Sequence, residues 1–109
     1  MKNIEIISHI NGLQDVITRH AKDRLPVKLS YSINKNHKRL MEEYRSYEEE
    51  YNKLDDKSKE MGESGPSSEL KELLEIDVEV DLVKVSINEI RSDILTYEDI
   101  SILDFMLDE

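Results

Sequence analysis

The chain has 109 residues, of which 37% are charged and 38% hydrophobic, with three Gly, two Pro and no Cys. This length favours a single domain with a modest core, and the absence of Cys excludes disulfides, thiolate metal sites and cysteine nucleophiles. The N-terminal residues lack a signal-peptide core, and no run approaches the ~18 apolar residues of a membrane span. We therefore expect a cytoplasmic protein that does not contact a membrane.

Charge is distributed unevenly along the chain. Residues 1–40 carry eight Lys/Arg and three Asp/Glu, whereas residues 60–109 carry three Lys/Arg and fifteen Asp/Glu, and the whole chain has a net charge of −10. The basic first third could contact nucleic acid. Because the acidic remainder opposes phosphate binding, we expect charge complementarity within the chain or between subunits instead, and no nucleic-acid partner.

The first quarter of the chain predicts a strand followed by a helix. Ile4 and Ile6 alternate with polar residues, which indicates a short strand over residues 2–7. Apolar residues then recur at helical spacing over residues 8–25, and Pro26 closes that segment.

The longest predicted element is a helix over residues 28–61. Its apolar and aromatic residues keep the 3.5-residue spacing of a coiled-coil seam, and neither Gly nor Pro interrupts it before its end. The seam positions are Ile33, His37, Leu40, Tyr44, Tyr47, Tyr51, Leu54, Ser58 and Met61. This seam alone would be roughly 40 Å long, which is more than a small core needs.

The C-terminal half predicts a return helix, a strand and a last helix. Residues 62–66 contain Gly and Pro and indicate a loop, after which residues 67–75 form a short helix that folds back on the long one. Residues 76–87 alternate apolar and acidic side chains, which predicts a strand whose partner is the N-terminal strand. Residues 96–108 predict a final helix, which begins with a capping box from Thr96.

The predicted architecture is one α+β domain over residues 1–109. It is a long antiparallel helical hairpin packed on a small two- or three-stranded sheet, with a C-terminal helix. The three His are isolated, and there is no Gly-rich phosphate loop and no nucleophile elbow. We therefore predict no enzyme activity, no catalytic residues, no cofactor and no metal.

Two features are candidate protein-interaction surfaces. The tyrosine stripe of the long helix (Tyr44, Tyr47 and Tyr51) is more often core than interface, but partly exposed tyrosines on a rigid helix are good interface anchors. The carboxylates on one face of the predicted strand form a row of like charges, which is unfavourable unless it meets water or cations. The candidate residues are Tyr44, Tyr47, Tyr51, Glu48, Asp77, Glu79 and Asp81.

The order of the parts carries a resemblance to a known group. The runs are LPVKLSYSINKNHKRLMEEYRSYEEEYNKL, then SELKELLEIDVEVDL, then ISILDFMLDE at the end. Residues 25–109 resemble small uncharacterised proteins encoded by bacteriophages and prophages of low-GC Gram-positive bacteria. The resemblance implies a phage accessory or structural role in the host cytoplasm, and it carries over no functional residues.

The expected function follows from these surfaces and this resemblance. We expect a non-enzymatic, phage-encoded accessory or structural protein that acts by protein–protein interaction and forms a homo-oligomer through its long seam. The alternative is an acidic inhibitor of a host nucleic-acid-binding or defence protein, in which carboxylates imitate phosphate charge.

Overall fold

The computed structural model of the chain describes residues 1–60, 68–90 and 94–108. It confirms the predicted α+β architecture, with long helices that pack together, a small two-stranded sheet and a C-terminal helix. The molecule is elongated, with extents of 53 × 26 × 20 Å. The loop predicted over residues 62–66 lies outside the described residues.

Two antiparallel helices, α1 (Asn3–Arg19) and α2 (Val27–Glu60), form the main pair. The C-terminal end of α1 lies beside the first turns of α2, and Ile7 and Ile10 of α1 lie beside Met41, further along α2. At ~1.5 Å per residue, the 34 residues of α2 run about 51 Å, which is nearly the full length of the molecule.

The strand predicted over residues 2–7 is wrong. All but the first of these residues belong to α1, and Lys2 alone forms an isolated antiparallel bridge, to Asp77. Ile4 and Ile6 would lie on the same face of a strand, but they lie on different faces of a helix. Accordingly, Ile6 is buried whereas Ile4 is 49% exposed.

The other helices differ from the predicted ones mainly at their ends. The helix predicted over residues 8–25 starts earlier and ends at Arg19. It ends there because His20 leaves the helix, and its ring then binds two carboxylates. The helix predicted over residues 28–61 corresponds to α2.

A third helix, α3 (Ser68–Glu75), packs against both α1 and α2 and corresponds to the helix predicted over residues 67–75. Its Leu73 is buried, and the Leu73 carbonyl accepts a hydrogen bond of 2.8 Å from the side-chain amide of Asn3. The end of α3 is therefore fixed to the start of α1.

The strand predicted over residues 76–87 is extended up to Ser86, with a β-ladder only at its end, and Ile87 begins a 3-10 turn (Ile87–Ile90) instead. Its even-numbered residues from 78 to 82 pack against the core, and the carboxylates between them are exposed, which agrees with the predicted alternation. The ladder consists of β1 (Val85–Ser86), which pairs in parallel with β2 (Leu107–Asp108).

The helix predicted over residues 96–108 is shorter than expected. It consists of α4 (Tyr97–Leu103), capped by Thr96, and a 3-10 turn (Asp104–Met106) follows it. The last two described residues leave the helix because they pair with β1.

α4 crosses α1 at Gly12. A Cβ atom at this position would lie 2.9 Å from Ile102 Cγ2, closer than van der Waals contact allows. A second contact between these parts is the stacking of His9 on Phe105, with ring centroids 3.9 Å apart. The glycine therefore permits the close approach of the C-terminal part to α1.

The core lies between α1, the first half of α2 and the C-terminal residues. Its buried apolar residues are Ile6, Leu13, Val16, Leu29, Ile33, Leu40, Val85, Leu103 and Met106. From residue 41 to residue 56, the last of α2 whose burial is described, no side chain is buried. The distal half of α2 therefore extends beyond the core.

Candidate functional site

The tyrosine stripe lies on this distal half of α2. The ring centroids of Tyr44 and Tyr47 are 5.7 Å apart, those of Tyr47 and Tyr51 are 6.0 Å apart, and both pairs are tilted. Tyr44 and Tyr47 are half-buried, Tyr51 is 39% exposed and Glu48 is exposed. Burial and the neighbouring phenols of Tyr44 and Tyr51 raise the pKa of Tyr47. The rings therefore cover one another in part, and none of them belongs to the core described above.

An apolar groove extends this surface towards α1. It has a volume of about 330 Å³ and is lined by Ile7, Ile10, Asn11, Met41 and Tyr44. Because Tyr44 belongs both to the groove and to the tyrosine stripe, the two form one continuous surface.

The predicted carboxylates lie on a different side of α2. Asp77, Glu79 and Asp81 are exposed, and a groove beside the last two is also lined by Glu42 and Glu43 of α2. Residues 42 and 43 lie on the opposite face of the helix from residues 41 and 44, since successive residues are about 100° apart. The structure therefore separates the two predicted surfaces rather than bringing them together.

A buried polar cluster joins α1 to α4. The fully buried Asp99 accepts hydrogen bonds at Oδ2 from the ring Nε2 of His20 (2.8 Å) and from the backbone N–H of Thr96 (2.9 Å). Its Oδ1 lies 2.5 Å from Arg19 Nη2 in an ion pair. The other ring nitrogen of His20, Nδ1, bonds Asp23 Oδ2 at 2.8 Å.

The charges of this cluster stabilise one another. Burial by itself raises the pKa of Asp99, but hydrogen bonds from Thr96 and His20 and the charge of Arg19 outweigh it and lower that pKa from 3.8 to about 2. Hydrogen bonds to Asp99 and then to Asp23 raise the pKa of His20 above 6.5, against the effect of burial. Because carboxylates only accept, both ring nitrogens of His20 must donate, so the ring is an imidazolium.

This imidazolium has a structural role, in which it links two carboxylates, and it does not act as a catalytic base. Neither of its nitrogens is available to accept a proton or to bind a metal, because each already donates to a carboxylate. The capping box from Thr96, which the sequence predicts, is confirmed and is completed by Asp99, and the bond of His20 to Asp23 is local, since the two residues are three positions apart. Their connection was missed because 79 residues separate His20 from Asp99.

A second polar contact that the sequence does not predict holds the extended segment (residues 76–83) on α2. The side chain of Asn36, fully buried, accepts a hydrogen bond from the Val83 N–H at 2.7 Å and donates one to the Val83 carbonyl at 2.9 Å. One turn further along α2, the Arg39 guanidinium donates to the Asp81 carbonyl. Side chains of α2 thus bind backbone groups of Asp81 and Val83 that a second neighbouring strand would otherwise pair.

No metal-binding group of three or more His, Asp or Glu side chains occurs in the part of the chain that the structure describes. Within the same residues, no helix combines the length and the hydrophobicity that crossing a lipid bilayer requires. Comparison of the chain with protein-family models, with curated proteins and with solved structures gave no match.

Proposed function

We propose that the protein is a non-enzymatic, phage-encoded accessory or structural protein that acts in the host cytoplasm by protein–protein interaction and self-associates through the tyrosine stripe. The observation that carries the proposal is the placement of three adjacent tyrosines on the half of α2 that extends beyond the core. The phage origin rests on the sequence resemblance alone.

The surface has the properties of an interface between helices. Tyr side chains contribute large apolar contact areas at a low cost in side-chain entropy, and the helix holds them rigidly. The stripe also keeps coiled-coil spacing, so that a second copy of α2 could insert its own tyrosines between those of the first.

Charge disfavours a parallel, in-register pairing of two copies of the helix. In a parallel, in-register pair, Glu43 would face Glu48 of the second copy, and Glu50 would face Asp55. These contacts between like charges are unfavourable. We therefore expect a dimer, centred on the tyrosine stripe, in which the two helices are not both parallel and in register.

The test compares a double variant in the stripe with a matched control. We expect the protein to sediment as a dimer at high micromolar concentration, and Tyr47→Ala with Tyr51→Ala to sediment as a monomer whose thermal midpoint falls by only a few degrees. The control is Tyr31→Ala with Tyr97→Ala, because these rings are 59% and 89% exposed and lie outside the stripe. A protein that is monomeric up to ~1 mM would refute self-association.

A second candidate function is inhibition of a host nucleic-acid-binding protein. It is favoured by the exposed carboxylates of Glu79 and Asp81, which adjoin Glu42 and Glu43, so that four carboxylates share a groove with Arg39. Such an inhibitor should compete with DNA or RNA for its target, and its binding should weaken steeply with salt. Binding that is independent of salt would exclude it.

A further inference from the structure

One edge of the extended segment over residues 76–83 faces the N-terminal residues of the chain, and we call it the N-terminal edge. Only the first residues of the segment are paired on this edge. Val78 donates its N–H to the Met1 carbonyl at 2.7 Å, and the Ile76 carbonyl accepts a hydrogen bond from the Asn3 N–H at 3.1 Å. These bonds form a short antiparallel pairing in which Lys2 lies opposite Asp77.

The other edge of the segment faces α2. There the Asp81 carbonyl and the Val83 N–H bind side chains of that helix. In an extended chain, the backbone groups of alternate residues point to opposite edges. The backbone N–H and C=O groups of the odd-numbered residues therefore point to α2, and those of the even-numbered residues point to the edge on which Met1 lies.

Val80 and Leu82 are thus expected to present their backbone groups to the N-terminal edge. Within residues 1–60, 68–90 and 94–108, no hydrogen bond to the backbone of either residue is present. A groove of about 890 Å³ lies beside this edge and is lined by Met1 and residues 77–81. Among the described residues, the backbone groups of Val80 and Leu82 on this edge therefore have no hydrogen-bond partner, and the groove lies beside them.

The paired end shows which side chains this edge accepts. Met1 lies opposite Val78 and packs against the core, as Val78 itself does. Lys2 lies opposite Asp77 on the outer face, where its Nζ bonds Glu75 at 2.7 Å. The pairing thus matches apolar with apolar on the inner face and basic with acidic on the outer face.

The same alternation continues along the open part of the edge. Val80 and Leu82 pack against the core, whereas Glu79 and Asp81 are exposed. A strand added here in line with residues 1–3 would carry an apolar residue opposite Val80. It would carry basic residues opposite Glu79 and Asp81.

The geometry points to residues 79–82 as an acceptor for an added β-strand from another protein, an extended basic segment in which Lys or Arg alternates with apolar residues. Strand addition of this kind gains affinity from main-chain hydrogen bonds and specificity from alternate side chains. A second copy of this chain does not fit, because pairing two such edges would place carboxylates against carboxylates. This surface is separate from the tyrosine stripe.

The probe is a short, fluorescently labelled peptide that alternates Lys and Val, and its binding to the full chain is measured by fluorescence anisotropy. We expect saturable binding that Glu79→Lys with Asp81→Lys weakens by roughly tenfold or more. The matched control, Glu98→Lys with Asp104→Lys, changes two exposed carboxylates on α4 and the turn after it and should leave affinity within about twofold. The double variant Tyr47→Ala with Tyr51→Ala should bind like the unaltered protein, so that loss of self-association does not remove this site.

A second pair of probes tests the backbone contacts. N-methylation of every second peptide residue blocks donors on one edge of the added strand only, so one of the two methylated peptides should lose binding and the other should keep it. Equal affinity of both methylated peptides and the parent would show charge attraction without strand addition and would overturn the proposal. Absence of saturable binding up to ~1 mM would overturn it as well.

Discussion

Asp99→Asn removes the negative charge to which Arg19 and His20 bind in the buried cluster. The substituted amide keeps an oxygen that can accept the hydrogen bond from the Thr96 N–H, so the start of α4 keeps its cap. The change therefore tests the charge of the cluster rather than the cap.

The magnitude follows from the pKa of Asp99. A pKa of about 2 in the folded protein, against 3.8 for the unperturbed group, means that ionised Asp99 stabilises the fold by about 2 kcal/mol. Arg19 and His20 each keep a second carboxylate, Asp15 and Asp23, so the further cost of removing the buried charge should be about 2 kcal/mol at most. We therefore expect Asp99→Asn to lower the free energy of unfolding by about 2–4 kcal/mol near neutral pH.

The stabilisation by the cluster should depend on pH. The contribution of Asp99 is present above 3.8 and is lost as pH falls towards about 2, because its folded pKa is lowered. The contribution of His20 is fully present below 6.5 and is lost as pH rises through its raised folded pKa. The free energy of unfolding that the cluster contributes should thus be greatest between pH 3.8 and pH 6.5. In Asp99→Asn, the free energy of unfolding should change less with pH on both sides of this range.

The assay is urea unfolding followed by circular dichroism at about pH 3, 5 and 9, together with NMR titration of the His20 ring. The matched control is Asp104→Asn, an exposed carboxylate on the turn that follows α4, which we expect to change stability by less than about 0.5 kcal/mol. If Asp99→Asn unfolds at the same urea concentration as the control, or if the pKa of His20 does not fall in the variant, the cluster does not hold α4 to α1 electrostatically.

Two further predictions concern packing and the extended segment. Gly12→Ala should destabilise the protein by about 1–3 kcal/mol despite the better helix propensity of Ala, because the added Cβ meets Ile102. Thermal unfolding measures this loss. In a double-mutant cycle, Ile102→Ala in the same chain should remove most of the cost of Gly12→Ala. Asn36→Ala should lower the free energy of unfolding by about 2 kcal/mol and raise the hydrogen-exchange rate of the Val83 amide, because both backbone groups of Val83 lose their partner. The control is Asn34→Ala, since Asn34 is exposed. Equal exchange at Val83 in both variants would contradict the role given to Asn36.

The sequence predicts the features that depend on neighbours along the chain. The long helix follows from an uninterrupted seam, and the start of α4 follows from Thr96 and Asp99 at capping-box spacing. The alternation of residues 76–82 gives the correct inner and outer faces as well.

The features that were missed depend on residues far apart in sequence. An Asn in the middle of a long helix gives no sign that its amide will bind the backbone of Val83, 47 residues away. The pattern at Ile4 and Ile6 was too short to separate a strand from a helix, and the later positions of α1 decide it, since Leu13 and Val16 share the buried face with Ile6. The partial exposure of the tyrosines also depends on where the core ends.

The contacts that hold the extended segment have a consequence for the order of folding. The bond between Asn36 and Val83 spans 47 residues, and the one between Met1 and Val78 spans 77, whereas α1 and α2 are adjacent in the chain. Because closing long loops costs more entropy than closing short ones, the helical pair should assemble first and residues 76–108 should dock onto it last. The same boundary should appear in the folded protein as a partial opening, in which the C-terminal third leaves and returns as a unit.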